Sequence, residues 1–276
     1  MIPVSFEYQR PSTVDEVLAA LSADSKILAG GHSLLPAMKL RLNQPSKLVD
    51  ITRIDALKGI KQEDGEIVIG AGSTHAEIAD DSLIQNQLPF FAAGASMIGD
   101  LQVRNHGTIG GSLAHADPSA DWSALVLAAD ATIEVQNKTG RKTIKAAVFF
   151  TGLFATALEE GDIITAIRVP VPAPGTKTTY QKFPQPASRF ALVGCAVMRT
   201  ADGKTKIAYT GVSDNAFRDN AAEAFISGKA LTEANIVDAA NVAVENVSVM
   251  SDHYASEEYR KHLAKVYLKK ALQAIA

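Results

Sequence analysis

The residues best placed by type and spacing to do chemistry are two double glycines. Ala29-Gly30-Gly31-His32-Ser33 and Thr108-Ile109-Gly110-Gly111-Ser112 each have an apolar approach and a hydroxyl side chain just past the glycines. Glycine lets a backbone come close to a ligand and tolerates positive φ. Consecutive N–H groups in such a turn form a nest that binds an anion. Two nests in one chain suit a long ligand with two phosphates, such as a dinucleotide. One Gly-Gly alone is an ordinary tight turn. The pair, each joined to a helix that can be capped, is what favours a phosphate ligand.

Other constellations are weaker. Gly70-Ala71-Gly72 lies between a strand and a helix, as in a dinucleotide fingerprint, but position 75 is His75 rather than glycine. No acidic residue closes a second strand about 20 residues on. It reads as a plain strand-to-helix turn. His115-Ala116-Asp117 has two metal-ligand types without a second pair, and Asp117 has a capping role instead. Ser33, Ser112, His32 and His106 lack the Gly-x-Ser-x-Gly elbow of a serine nucleophile. No catalytic residue and no metal ligand is assigned. Lys182, within Tyr180-Gln181-Lys182-Phe183, is either a solvated strand lysine or a charge aimed at a group that becomes anionic.

The elements that must carry these residues follow from periodicity and caps. Ser12 or Thr13 caps a first helix with Val14, Val17, Leu18 and Leu21 at helical spacing. A strand over 26–29 feeds the first glycine turn, a helix over 33–42 follows, and 47–51 is a strand. Residues 1–54 thus form a first subdomain. Residues 55–173 form a second, with a strand over 66–69, a capping box at Thr74-His75-Ala76-Glu77, a helix over 89–98 and a hairpin over 132–145. Asp117-Pro118 reads as an N-cap with proline at the first helical position. Pro170, Pro172, Pro174 and Gly175 punctuate the chain. Residues 174–276 then read as three strands (178–182, 191–199, 204–210) and three helices (220–227, 232–246, 256–275). The last helix carries Arg260, Lys261, Lys265, Lys269 and Lys270 on a face read as solvated. The fold class is α+β.

Composition narrows the function classes. The chain has 276 residues, 27 basic and 30 acidic, and 47% hydrophobic. Balanced charge argues against nucleic acid, which calls for a clustered basic face. The lone Cys195 rules out an internal disulfide and fits a reducing compartment. The start has no basic n-region and no long apolar core. No window approaches the roughly 18 apolar residues of a membrane-spanning helix. A cytoplasmic protein is expected.

Several of these motifs together resemble a family. Ala-Gly-Gly-His-Ser-Leu-Leu-Pro-x-Met-Lys-Leu-Arg at 29–41 is similar to the first flavin loop of molybdenum hydroxylase medium subunits, the xanthine dehydrogenase and aerobic carbon monoxide dehydrogenase family. Thr108 to Ala114, with Asp117-Pro118-x-x-Asp121, is similar to the second. The resemblance continues through 163–170, Tyr180-x-Lys182, Ala187-Ser188-Arg189, Ser251-Asp252 and Ala255-Ser256-x-x-Tyr259-Arg260.

It implies a two-subdomain, PCMH-type FAD-binding domain and a C-terminal domain of a three-stranded antiparallel sheet and three helices. It implies FAD held by Leu28, Ala29, Gly30, Gly31, His32, Ser33, Leu34, Thr108, Ile109, Gly110, Gly111, Ser112, Ala114, Asp121, Ile164 and Lys182. The diphosphate would rest on the backbone N–H groups of both loops, the ribityl chain on Asp121, and Lys182 would lie near the ring's pyrimidine edge. With one cysteine the chain cannot hold a [2Fe–2S] centre, which needs about four ligands. The centres and the molybdenum cofactor are therefore expected in a small and a large partner subunit, as a dimer of heterotrimers. The chain would be the oxidoreductase's electron relay to an external acceptor. Two rivals stay open: a self-sufficient flavoprotein oxidase or dehydrogenase, and an assembly subunit that has lost FAD.

Overall fold

The structure is a computed structural model that describes residues 2–276. Strand β1 (Glu7–Gln9), helix α1 (Val14–Ala20), β2 (Ser25–Leu28), α2 (Leu34–Lys39) and β3 (Lys47–Asp50) form the first unit. Its sheet is parallel in the order β1-β3-β2. Thr13 caps α1 with a full capping box to Glu16. Val17, Leu18 and Val49 close a small core between helix and sheet.

The second unit holds β4 (Ile60–Glu63), β5 (Glu66–Gly70), α3 (His75–Asp80), α4 (Ser82–Gln87), α5 (Pro89–Ser96), α6 (Leu101–Arg104), α7 (Ile109–His115) and α8 (Asp121–Ala128). The hairpin β6 (Thr132–Asn137) and β7 (Gly140–Lys145), the short pair β8 (Phe150–Gly152) and β9 (Ala155–Thr156), and β10 (Ile163–Pro170) complete it. The five-stranded antiparallel sheet runs β4-β5-β10-β6-β7. Gly70 follows from packing, because a Cβ there would meet the Leu57 carbonyl oxygen at 2.5 Å.

The last unit has β11 (Lys177–Pro184), β12 (Ala191–Arg199), β13 (Thr205–Thr210), β14 (Phe217–Arg218), α9 (Asn220–Ile226), α10 (Glu233–Val242) and α11 (Glu257–Ala274). Its sheet has four strands, β11-β12-β13-β14, rather than the three expected. The addition is a two-residue strand pairing Phe217 with Tyr209 and Arg218 with Ala208. A segment that short has no readable alternation.

Helix α8 joins the second unit to one face of the C-terminal sheet. All eight of its residues are buried. Trp122 and Leu125 pack in one cluster with Phe91 and Ile109, and Tyr180, Ala196 and Ala208 of the C-terminal sheet belong to the same cluster. Each fully buried large apolar side chain contributes about 1.5–3 kcal/mol. This helix is therefore a structural spine, continuous in hydrophobicity because no face meets water.

Two local readings change. Helix α8 starts at Asp121, not at Pro118: Asp117 accepts from the Ser119 N–H (2.8 Å) and closes a tight turn instead of capping a helix. The reason is tertiary. Thr210 Oγ1 shares its one proton between the carbonyls of Pro118 (2.7 Å) and Ala120 (2.8 Å), and the Gly211 N–H donates to Pro118 O (2.7 Å). Those carbonyls are thus withheld from a helix. Arg260 also departs from the solvated basic face expected of α11. It is 1% exposed and donates to Leu192 O (2.7 Å), Gly211 O (2.5 Å) and Asp252 (2.7 Å). Helical periodicity does not distinguish a buried arginine clamp from a surface one.

Candidate functional site

A cleft of about 580 Å³ opens where the three units meet. The first unit lines it with Ala29 to Leu34, the second with Ala71, His75, Ile98, Gly99, Gly107, Thr108, Gly110 to Ser112, Ala114, Asp121 and Ile164, and the last with Ser188 to Phe190. All the residues expected to hold FAD lie on its wall except Leu28, Ile109 and Lys182.

The first double glycine is a turn as expected. Gly31 has φ +75°, which glycine adopts freely. Gly30 is required by closeness: a Cβ there would stand 2.4 Å from His106 O and 2.7 Å from Gly107 Cα. Among the described residues, no acceptor takes the N–H of Gly30, Gly31, His32 or Ser33. Ser33 begins α2 without a side-chain cap bond, so its hydroxyl is free as well. Exposed backbone donors at a helix start suit a phosphate.

The second double glycine differs. Gly110 and Gly111 are not a turn but the first turn of α7, capped by Thr108. Its amides are already used: Ile109 N–H donates to Ser73 O, Gly110 N–H to Ala71 O (2.9 Å), Gly111 N–H to Thr108 Oγ1, and Ser112 N–H to Thr108 O. What the glycines give here is closeness. A Cβ on Gly110 would meet the Ala71 Cβ at 2.6 Å. This wall offers the Ser112 side chain and a surface without side chains, rather than a nest.

Asp121 and Lys182 form a buried pair. Their side chains are 4% and 2% exposed, and Nζ lies 2.9 Å from the carboxylate. Tyr180 Oη donates to Asp121 Oδ1 at 2.5 Å, and Lys182 Nζ also donates to Met97 O at 3.2 Å. Burial pushes the Asp121 carboxyl up, and the Lys182 ammonium opposes it. A carboxylate offers about four acceptor positions, so Asp121 keeps capacity for a hydroxyl in the cleft. Lys182 itself is behind the wall, where it is the counterion of Asp121.

Sequence reasoning missed His75 as a lining residue. Its helix start was legible, since Thr74 and Glu77 form the capping box. Nothing local indicated that its ring would reach the cleft, because that depends on a backbone bond from His75 N–H to Gly107 O, 2.9 Å long and far apart in sequence. Burial pushes the imidazole down to about 3, with His32 and Arg104 acting in the same direction. Ile98 and Gly99 were missed for the same reason. Their turn is held from the C-terminal side by Arg189, which donates to Gly99 O at 3.2 Å.

The donor set fits FAD: a free nest, two serine hydroxyls, a glycine-smooth wall opposite, and a carboxylate farther along the same cleft. Comparison with known proteins agrees. Residues 4–172 match the family described as FAD binding domain in molybdopterin dehydrogenase. Residues 178–275 match the CO dehydrogenase flavoprotein C-terminal domain. The carbon monoxide dehydrogenase medium chain of Hydrogenophaga pseudoflava is 40% identical, over 99% of this chain and 98% of its own. The glyceraldehyde dehydrogenase medium chain of Sulfolobus acidocaldarius is 35% identical over the full length of both. A solved structure of the Hydrogenophaga pseudoflava carbon monoxide dehydrogenase superposes with a TM-score of 0.95 at 41% identity, covering 100% of this chain and 98% of that one. The chain belongs to the FAD-binding medium subunits of the molybdenum hydroxylase family, and is thus a subunit of an oxidoreductase.

Proposed function

We propose that this chain relays electrons: it accepts them from [2Fe–2S] centres of a small partner subunit and delivers them to an external acceptor. A large molybdopterin subunit oxidises the reducing substrate, and the assembly is a cytoplasmic dimer of heterotrimers. The observation that carries this reading is the free nest at Gly30 to Ser33 in a cleft shared by all three units, together with a single cysteine, the buried Cys195. Bound FAD supplies the interchange between one-electron and two-electron transfer.

The chain's own residues hold and screen it. The amides of Gly30 to Ser33 bind the diphosphate charge. Asp121 accepts from the ribityl hydroxyls while Tyr180 and Lys182 fix its orientation. Ile164 packs against the flavin from β10. The strip Ser188 to Phe190 limits access of water from the C-terminal side. Lys182 neutralises Asp121 and so keeps that carboxylate from opposing an anionic reduced ring.

Affinity capture of the tagged chain from its native cells tests the relay. One iron–sulfur chain and one molybdopterin chain per FAD chain are expected in the captured complex. Removing FAD is expected to leave reduction of the iron–sulfur centres by substrate intact while turnover with the acceptor stops. Capture of the chain alone, oxidising a substrate by itself, would contradict the relay and favour the self-sufficient flavoprotein.

A further inference from the structure

His75 sits at the N-terminus of α3 and is 5% exposed. Trp122 Nε1–H donates to its Nδ1 at 3.0 Å. The hydrogen bond made by one ring nitrogen decides which nitrogen carries the proton. With Nδ1 accepting, the proton is on Nε2, so Nε2 is a donor. Among the described residues no acceptor meets it.

Nε2 faces Gly107. A Cβ on Gly107 would stand 2.7 Å from Nε2, so any side chain there would cover the donor. Gly107 and His75 both line the cleft. The same Gly107 backbone is what Gly30 presses against, 2.7 Å from where a Gly30 Cβ would be. The donor therefore adjoins the Gly30 to Ser33 nest across one residue's width of bare backbone.

We infer that His75 is a neutral hydrogen-bond donor to the FAD diphosphate, held in the Nε2–H form by Trp122 and uncovered by Gly107. The inference rests on the flavin reading of the cleft and adds a ligand to it from α3. A neutral donor answers a phosphate oxygen without adding a charge that titrates. The locked tautomer also removes any need for the ring to reorganise on binding.

FAD titration of the apoprotein tests this with two substitutions. His75→Leu removes the donor. A hydrogen bond to a charged group is lost, so the dissociation constant should rise about tenfold or more. The two phosphorus resonances of bound FAD should also shift. His75→Gln carries an amide N–H to about the position of Nε2 and is expected to recover most of the affinity and the wild-type resonances. Both substitutions remove the acceptor of the Trp122 N–H and so lower thermal stability to a similar degree. If both lower stability while FAD affinity and the phosphorus spectrum stay at wild type, His75 is a packing residue and the inference fails. If the wild-type apoprotein takes up no FAD, the flavin reading of the cleft fails, whatever the variants do.

Discussion

Gly30→Val is expected to weaken FAD binding by roughly ten- to a hundredfold, from the few kcal/mol that overpacking typically costs. The first carbon of any side chain at Gly30 falls within 3 Å of three backbone atoms, His106 O, His106 C and Gly107 Cα. None can rotate away as a side-chain tip would. The two segments must separate, and they are the nest on one side and the Gly107 wall that exposes His75 on the other. The cost thus falls where the diphosphate is held. Gly30→Ala should act in the same direction with a smaller effect. Titration of apoprotein with FAD, beside a thermal melt, separates lost binding from lost folding. Wild-type affinity in Gly30→Val would show that the close approach of these segments is irrelevant to the cofactor.

Asp121→Ala is expected to cost about 3–5 kcal/mol of stability, the range for breaking one partner of a buried ion pair. The Lys182 ammonium would keep only Met97 O, and Tyr180 would lose its acceptor. Lys182→Met should be costly for the mirror reason, since burial already pushes the Asp121 carboxyl up and the lysine opposes it. The double variant Asp121→Ala with Lys182→Met should lose clearly less than the sum of the single losses, because it leaves no lone buried charge. Denaturant unfolding of the four proteins gives the coupling. Additive losses would show that the two groups do not act as a pair. The reduction potential of bound flavin in Lys182→Met is a separate reading: an unchanged potential would remove the lysine's role in favouring the anionic reduced ring.

The sequence made the local features legible. The cap at Ser12 or Thr13, the capping box at Thr74 and the β6–β7 hairpin are short-range, and each is encoded within a few residues of itself. The first double-glycine turn was legible for the same reason, because the positive φ of Gly31 is a property of its own backbone. What escaped depends on distant partners. Asp117 fails to cap a helix because Thr210 and Gly211 claim the carbonyls after it. Arg260 is buried because Leu192, Gly211 and Asp252 gather around it. The second glycine pair became a helical turn because Thr108 caps it, Ala71 accepts the Gly110 N–H and Ser73 accepts the N–H of the preceding Ile109. His75 reaches the cleft through Gly107 and Trp122, neither of them near it in sequence.

The most direct test of the central claim is the visible absorption spectrum of the purified chain, with the released cofactor identified after denaturation. One FAD per chain with no iron–sulfur absorption is the expected result, since the nest and cleft are complete within this polypeptide and its lone cysteine is buried. A colourless chain that cannot be reconstituted with FAD would contradict the account. The glycine turn would then be structural only, and the chain an assembly subunit without a cofactor.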